Sequence, residues 1–180
     1  FTFGKRIICI GTDINNNNAD FVTETTLFQN AIKNSTEKIS VNGTFTNISD
    51  YSFDSGITTA PTLLSDLSGN FYRISERNRV LINGGEQVSA HNKTKAETRG
   101  NFVTARIDHG QAPIDAHYEY MIMLKPSPAE QRNWSSKPEY QIIRADKTAH
   151  IVFDEISKTT AIVSFELTRL DEGLIKSISE

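Results

Sequence analysis

The sequence predicts an all-β protein, an antiparallel β-sandwich, and three observations carry that expectation. Apolar residues recur at period two or in short β-branched runs rather than at helical spacing. Gly, Asn, Asp and Pro break these runs at short intervals, as strand-linking turns require. No stretch carries the long amphipathic pattern of a helix. In chain order, residues 6–11 (RIICIG) read as a strand buried on both faces. Residues 22–29 are threonine-rich and end apolar, which suits a strand. Strands are then expected at 70–74, 79–82, 100–107, 117–124, 140–144, 149–154 and 161–167. Residues 30–38 are expected to make a short helical turn. Residues 44–69 and 125–138 read as long surface connections, the second holding Pro126, Pro128 and Pro138.

Composition limits the function. The chain has 180 residues, with 19 basic and 22 acidic side chains and a formal net charge of −3. That length suits one domain with a substantial core. A near-neutral, slightly acidic chain argues against a general nucleic-acid or membrane-surface binder, which is normally basic. Apolar runs such as residues 7–10 fall far short of the roughly 20 residues a spanning helix needs. Cys9, the single cysteine, cannot form an internal disulfide. The chain starts on Phe1 almost directly in a strand and stops in a strand-like alternation at residues 171–180, so a piece of a longer protein is expected.

Four groups of residues invite a chemical reading. Asp13, Asn15, Asn17 and Glu24 occupy positions 1, 3, 5 and 12 of a calcium loop of the EF-hand type. Asn18 stands where that loop needs Gly, and the flanks read as strands, so a polar hairpin loop is the favoured reading. His91, His109, His117 and His150 lack zinc spacing. His109, in Asp108-His109-Gly110, is first a turn residue, and no Gly-x-Ser-x-Gly elbow supports a Ser-His-Asp triad. The basic stretch holding Lys93, Lys95, Arg99 and Asn101 offers donors for carboxylate or sulfate groups. Arg73, Arg77 and Arg79 form a second basic cluster, and each cluster also reads as a solvated loop. No cofactor is expected, with a divalent cation such as calcium at the Asp13 loop as the alternative.

The order of segments resembles a known family. Arg6-Ile7-Ile8-Cys9-Ile10-Gly11-Thr12-Asp13-Ile14, followed by Glu24-Thr25-Thr26-Leu27-Phe28-Gln29, resembles the central β-domain of family-eight polysaccharide lyases. The run from Gly100-Asn101-Phe102 through Ala105-Arg106-Ile107-Asp108-His109-Gly110 to Ala116-His117-Tyr118-Glu119-Tyr120-Met121 is similar to chondroitin sulfate ABC lyases in particular. Arg106 departs from the tryptophan expected there. The resemblance implies an incomplete β-supersandwich of the galactose-mutarotase-like kind, with residues 1–170 part of the central domain and 171–180 opening the link to a C-terminal β-domain. It also implies a parent enzyme that cleaves glycosaminoglycans by β-elimination, its catalytic residues on an α/α toroid outside this chain. No catalytic residue is carried onto these positions. The implied partners are the polysaccharide (chondroitin or dermatan sulfate, or hyaluronan) and the remaining domains; the implied location is secreted or periplasmic, in a bacterium. The rival expectation is a non-catalytic carbohydrate-binding sandwich, with Tyr72, Phe102, Tyr118 and Trp134 as exposed stacking residues.

Overall fold

A computed structural model describes residues 1–133 and 137–166, apart from the Arg132 side chain. The expected strands are present, and several run longer than the apolar pattern indicates. The chain begins with β1 (Thr2–Phe3), β2 (Arg6–Ile14), β3 (Val22–Ala31) and β4 (Lys38–Val41). It continues through β5 (Thr44–Asn47), β6 (Ser52–Asp54), β7 (Thr62–Ser65) and β8 (Phe71–Ile74). The two longest strands, β9 (Arg79–Ala90) and β10 (Glu97–Gln111), form a hairpin, and β11 (Ala116–Met123) follows. After the single described helix, α1 (Pro128–Asn133), come β12 (Tyr140–Ala145), β13 (Ala149–Asp154) and β14 (Thr159–Ser164).

Two expectations are corrected. Residues 44–69 are not a structureless connection: they carry β5, β6 and β7, and Ile48 is fully buried. These strands are three or four residues long and rich in Ser and Thr, too short to show a period. The helical turn expected at 30–38 does not form. Asn30 and Ala31 complete β3, and a single hydrogen bond from Glu37 N to Asn34 O (3.4 Å) closes one turn. The proline-rich connection does hold a short helix. The Ser127 hydroxyl accepts from Glu130 N (3.3 Å), and the Glu130 carboxylate accepts from Ser127 N (2.6 Å), a reciprocal cap for its start. The strand reading at Leu167 and the link at 171–180 lie outside the described residues.

The strands form three antiparallel sheets, ordered β1-β2-β11-β8-β7-β4-β5, β3-β10-β9-β6 and β12-β13-β14. Period-two alternation on the seven-stranded sheet separates two cores. Ile39, Val41, Leu64, Tyr72, Ile74 and Tyr120 pack against Phe28, Ile82, Val103 and Ile107 of the four-stranded sheet. Their neighbours in sequence, Leu63, Phe71, Met121 and Met123, turn to the opposite face with Ile8, where they meet Tyr140 and Val152 of the three-stranded sheet. The seven-stranded sheet is thus the middle layer.

Two features fix the layers. Arg6 on β2 reaches across to Asp154 on β13 with two contacts, Nη1 to Oδ1 at 2.7 Å and Nη2 to Oδ2 at 2.9 Å. The Asp154 side chain is fully buried, and Ser157 adds hydrogen bonds to Oδ2 from its backbone N (2.8 Å) and hydroxyl (2.7 Å). Burial opposes ionisation of Asp154, but the donors from Ser157 and Arg6 outweigh it, so its pKa lies below the ordinary value. Gly84 permits the second feature: a Cβ there would overlap the Ile48 carbonyl oxygen, so only glycine lets the 44–69 segment cross β9 this closely.

Candidate functional site

Where the middle sheet meets the three-stranded sheet the packing opens into a groove. One part, about 670 Å³, is lined by Arg73, Arg77, Asn78, Glu119 and Tyr140 among others. The adjoining part, about 420 Å³, is lined by Gly11, Asp13, Tyr118, Asp146 and Lys147. His117, Glu119 and Ile142 line both. Strand register explains which side chains arrive there. Arg73 pairs with Met121 across β8 and β11, so it shares the second-core face with Phe71, while Tyr72 and Ile74 face the first core. On β11, Glu119 lies on the face of Met121 and Met123.

Glu119 and Tyr140 form the central contact of the groove. The Tyr140 hydroxyl donates to Glu119 Oε1 at 2.6 Å, and burial, reinforced by the Glu119 charge, pushes the phenol well above its ordinary pKa. Arg73 lies close enough to oppose that shift. Gly11 makes room at the other end, because a Cβ there would overlap the Tyr118 ring.

Two of the histidines on the strands pair with hydroxyls. Thr25 Oγ1 lies 2.8 Å from His109 Nε2, and Thr12 Oγ1 lies 2.9 Å from His150 Nε2. Burial lowers the pKa of both rings, partly offset by Asp108 at His109 and by Asp146 at His150. Among the described residues neither ring is hydrogen-bonded to a carboxylate, so no Ser/Thr-His-Asp relay is assembled. The groove's chemistry is that of a binding surface: the cations Arg73, Arg77 and Lys147, hydroxyls, amides and several carboxylates.

The basic stretch singled out from the sequence is distributed along the β9–β10 hairpin. Lys93 and Lys95 sit exposed at its tip, Lys95 with a left-handed backbone (φ 59°). Arg99 is held between two carboxylates, Glu86 at 2.6 Å and Glu97 at 2.7 Å. Asn101 is exposed, and its carbonyl accepts from Ile32 N at 2.8 Å. The second cluster is split as well. Arg79 pairs with Asp54 (2.7 Å) and Asp108 (3.1 Å), Arg77 lines the groove, and Arg73 is buried beneath it.

In the calcium-loop reading, three of the four side chains, Asp13, Asn15 and Glu24, already have partners. The Asn15 amide donates to the Asp13 carboxylate (2.8 Å), and its own carbonyl oxygen accepts from Asp115 N (2.9 Å). Asn17 lines a shallow depression beside Pro113 and Ile114. Glu24 lies on β3, in an ion pair with Arg106 at 2.5 Å. Among the described residues no three His, Cys, Asp or Glu side chains converge as a metal site.

Of the expected stacking aromatics, Tyr72 is buried, Tyr118 and Phe102 are half-buried, and Trp134 lies outside the described residues. The feature that sequence reasoning missed is the contrast within the second cluster. In Phe71-Tyr72-Arg73-Ile74, the arginine occupies the same inward phase as Phe71, and that was the available signal.

Three stacked antiparallel layers with this strand order define a β-supersandwich. Residues 1–133 match the super-sandwich domain of polysaccharide lyase family 8, and the chain belongs to that family. It is 33% identical over 181 aligned residues to the chondroitin sulfate ABC endolyase of Proteus vulgaris, an alignment covering 98% of this chain and 17% of that protein. Against the chondroitin sulfate ABC exolyase of Bacteroides thetaiotaomicron identity is 32%, over 94% of this chain and 16% of the relative. The chain therefore spans about a sixth of the length of these relatives. Among solved structures it superposes on a chondroitinase AC lyase with a TM-score of 0.75 at 18% identity, covering 92% of this chain and 24% of the other. A Paenibacillus xanthan lyase gives 0.72 at 20%, covering 92% and 17%. At those identities the superpositions establish the shared fold.

Proposed function

We propose that this chain is part of the central β-domain of a glycosaminoglycan lyase of the chondroitin sulfate ABC type. The observation that carries the reading is identity of 33% spread over 98% of the chain to a chondroitin sulfate ABC endolyase. In this reading the parent cleaves chondroitin or dermatan sulfate, and in the wider reading hyaluronan, by β-elimination at the uronic acid. The proton on C5 is removed, the 4-linked oxygen leaves with a proton, and an unsaturated uronate remains. A carbon acid beside an ionised carboxylate is very weakly acidic, so placed donors and cations must stabilise the developing charge. Those groups belong to a toroid outside this chain. The sandwich supplies one wall of the cleft and a rigid support, with residues 1–170 in the central domain and the link to a last β-domain beginning at 171. Lys93, Lys95, Arg99 and Asn101 remain proposed contacts for the polysaccharide, with Arg99 available once the substrate's anions compete with Glu86 and Glu97. The parent acts outside the cytoplasm, secreted or periplasmic.

The test is to incubate the full-length protein with chondroitin sulfate, dermatan sulfate and hyaluronan and follow the ultraviolet absorbance of the unsaturated uronate. The expected result is product from chondroitin sulfate, and none from the 180-residue chain alone. Absence of unsaturated product from all three polymers overturns the reading. Turnover by the isolated chain overturns the assignment of the chemistry to residues outside it.

A further inference from the structure

We infer that the cleft over Arg73 binds a singly charged acidic sugar, whose carboxylate or sulfate ester sits on the Arg73 guanidinium. Arg73 is only 6% exposed, and its Nε is buried without a hydrogen-bond partner. The contrast with its neighbours is direct. Arg6, equally buried, is clamped by Asp154, and Arg106 is paired with Glu24. Among the described residues no carboxylate forms an ion pair with Arg73. A guanidinium keeps its charge throughout the accessible pH range, so it cannot relieve its burial by losing a proton. A guanidinium this enclosed, with no carboxylate within ion-pair distance among the described residues, is costly for a fold to carry. The fold places it at the base of a cleft open to the outside, where an anion can reach it.

The rest of the lining says what kind of anion. The cleft, at about 670 Å³, lies in the range of about 300–1,000 Å³ usual for small-molecule sites. Arg77 and Ser75 offer donors, whereas Glu76, Glu119 and the Asn78 amide oxygen offer acceptors; the Asn78 amide nitrogen already donates to the Ser75 carbonyl at 3.1 Å. With two carboxylates beside two guanidiniums the lining is near neutral and does not balance a multiply charged anion, while the carboxylates accept hydrogen bonds from hydroxyls. One anionic group for Arg73 and several hydroxyls for Glu76, Glu119 and Asn78 describe an acidic sugar residue. This assignment stands on the cleft alone and does not require that the parent cleave anything.

The experiment uses the full-length protein and the Arg73→Met variant, titrated with glucuronate, N-acetylgalactosamine 4-sulfate and neutral galactose. Binding is read by calorimetry and by the thermal shift that a native-state ligand produces. One or both acids are expected to bind and galactose to be at least tenfold weaker; which acid binds tells the carboxylate from the sulfate source. Arg73→Met is expected to weaken the acid by roughly 10- to 100-fold, the worth of a hydrogen-bonded charge. Without ligand its melting temperature should equal or exceed that of the parent, because an unpaired buried charge has been replaced by an apolar chain of similar length. Arg77→Ala, at the rim, gives a second and smaller loss of affinity in a fold left intact. Failure of both acids to bind overturns the inference. So does equal binding by Arg73→Met. A ligand-free Arg73→Met that melts lower, or does not fold, also overturns it, by revealing a carboxylate elsewhere in the full protein that already holds the guanidinium.

Discussion

Removing the Arg6–Asp154 pair by Asp154→Ala should loosen the three-stranded sheet from the middle layer. The Asp154 side chain is fully buried and that of Arg6 is 9% exposed, so solvent screens neither. Truncating one partner leaves the other charge buried and unmatched, which typically costs about 3–5 kcal/mol. Ser157 loses its acceptor in the same step. The suitable readout in a large protein is local: amide hydrogen exchange along β13, whose opening should become faster by roughly two to three and a half orders of magnitude. β10, in the other core, should be nearly unchanged. The double replacement Arg6→Met with Asp154→Leu should recover most of the loss, since a packed apolar pair often substitutes for a buried ionic one. The pH dependence has a definite sign. The folded pKa of Asp154 lies below the unfolded value of about 3.9, so its stabilisation is full well above that value. It is lost as pH falls through the unfolded and then the folded pKa. Acceleration of less than tenfold in Asp154→Ala at neutral pH, or equal acceleration in β10, would refute this account of how the layers are joined.

Other outcomes are equally specific. Gly84→Ala sets a Cβ against the Ile48 backbone and should cost about 3 kcal/mol or more. Gly11→Ala meets only the Tyr118 ring, which can swing aside, and should cost about 1–3 kcal/mol. Thermal melts that reverse this order would count against the packing described. Tyr140→Phe removes the donor to Glu119 and should destabilise by about 1.5–3 kcal/mol, measured by exchange on β12. In a histidine-resolved NMR titration, His109 and His150 should both titrate below 6.5. Because these folded pKa values are depressed, their effect is to lower stability as pH falls from the unfolded value toward the folded one.

The sheet content was legible because long strands repeat the period-two signal many times. Residues 100–107 and 117–124 show it plainly, and β10 and β11 lie over them. β5 and β6 escaped because three or four residues do not establish a period, and their Ser and Thr side chains are equally at home in loops. The third layer was not legible as such, since residues 140–144 look like any half-buried strand. For the groove, sequence grouped Arg73, Arg77 and Arg79 as one basic cluster. Strand pairing places Arg73 and Arg79 in different sheets, and it leaves Arg79 exposed between Asp54 and Asp108 while Arg73 is enclosed. Arg99 looked available for an anion because Glu86 is distant in sequence; the hairpin register Asn101↔Glu86 brings it close.

A sheet covered on both faces has no side to spare. Along β8 and β11, alternate side chains face opposite sides of the sheet, so a shift of one residue would exchange the two sets wholesale. Arg73 and Glu119 would then be driven among Phe28, Ile82 and Ile107, while Tyr72 and Tyr120 would fill the groove. Arg73 and Glu119 therefore act as alignment marks: only one pairing of these strands leaves them facing an opening. Whatever ligand the groove serves, its polar residues also enforce the threading of the middle layer, and insertions or deletions should be tolerated in the hairpin tips but not within β8 or β11.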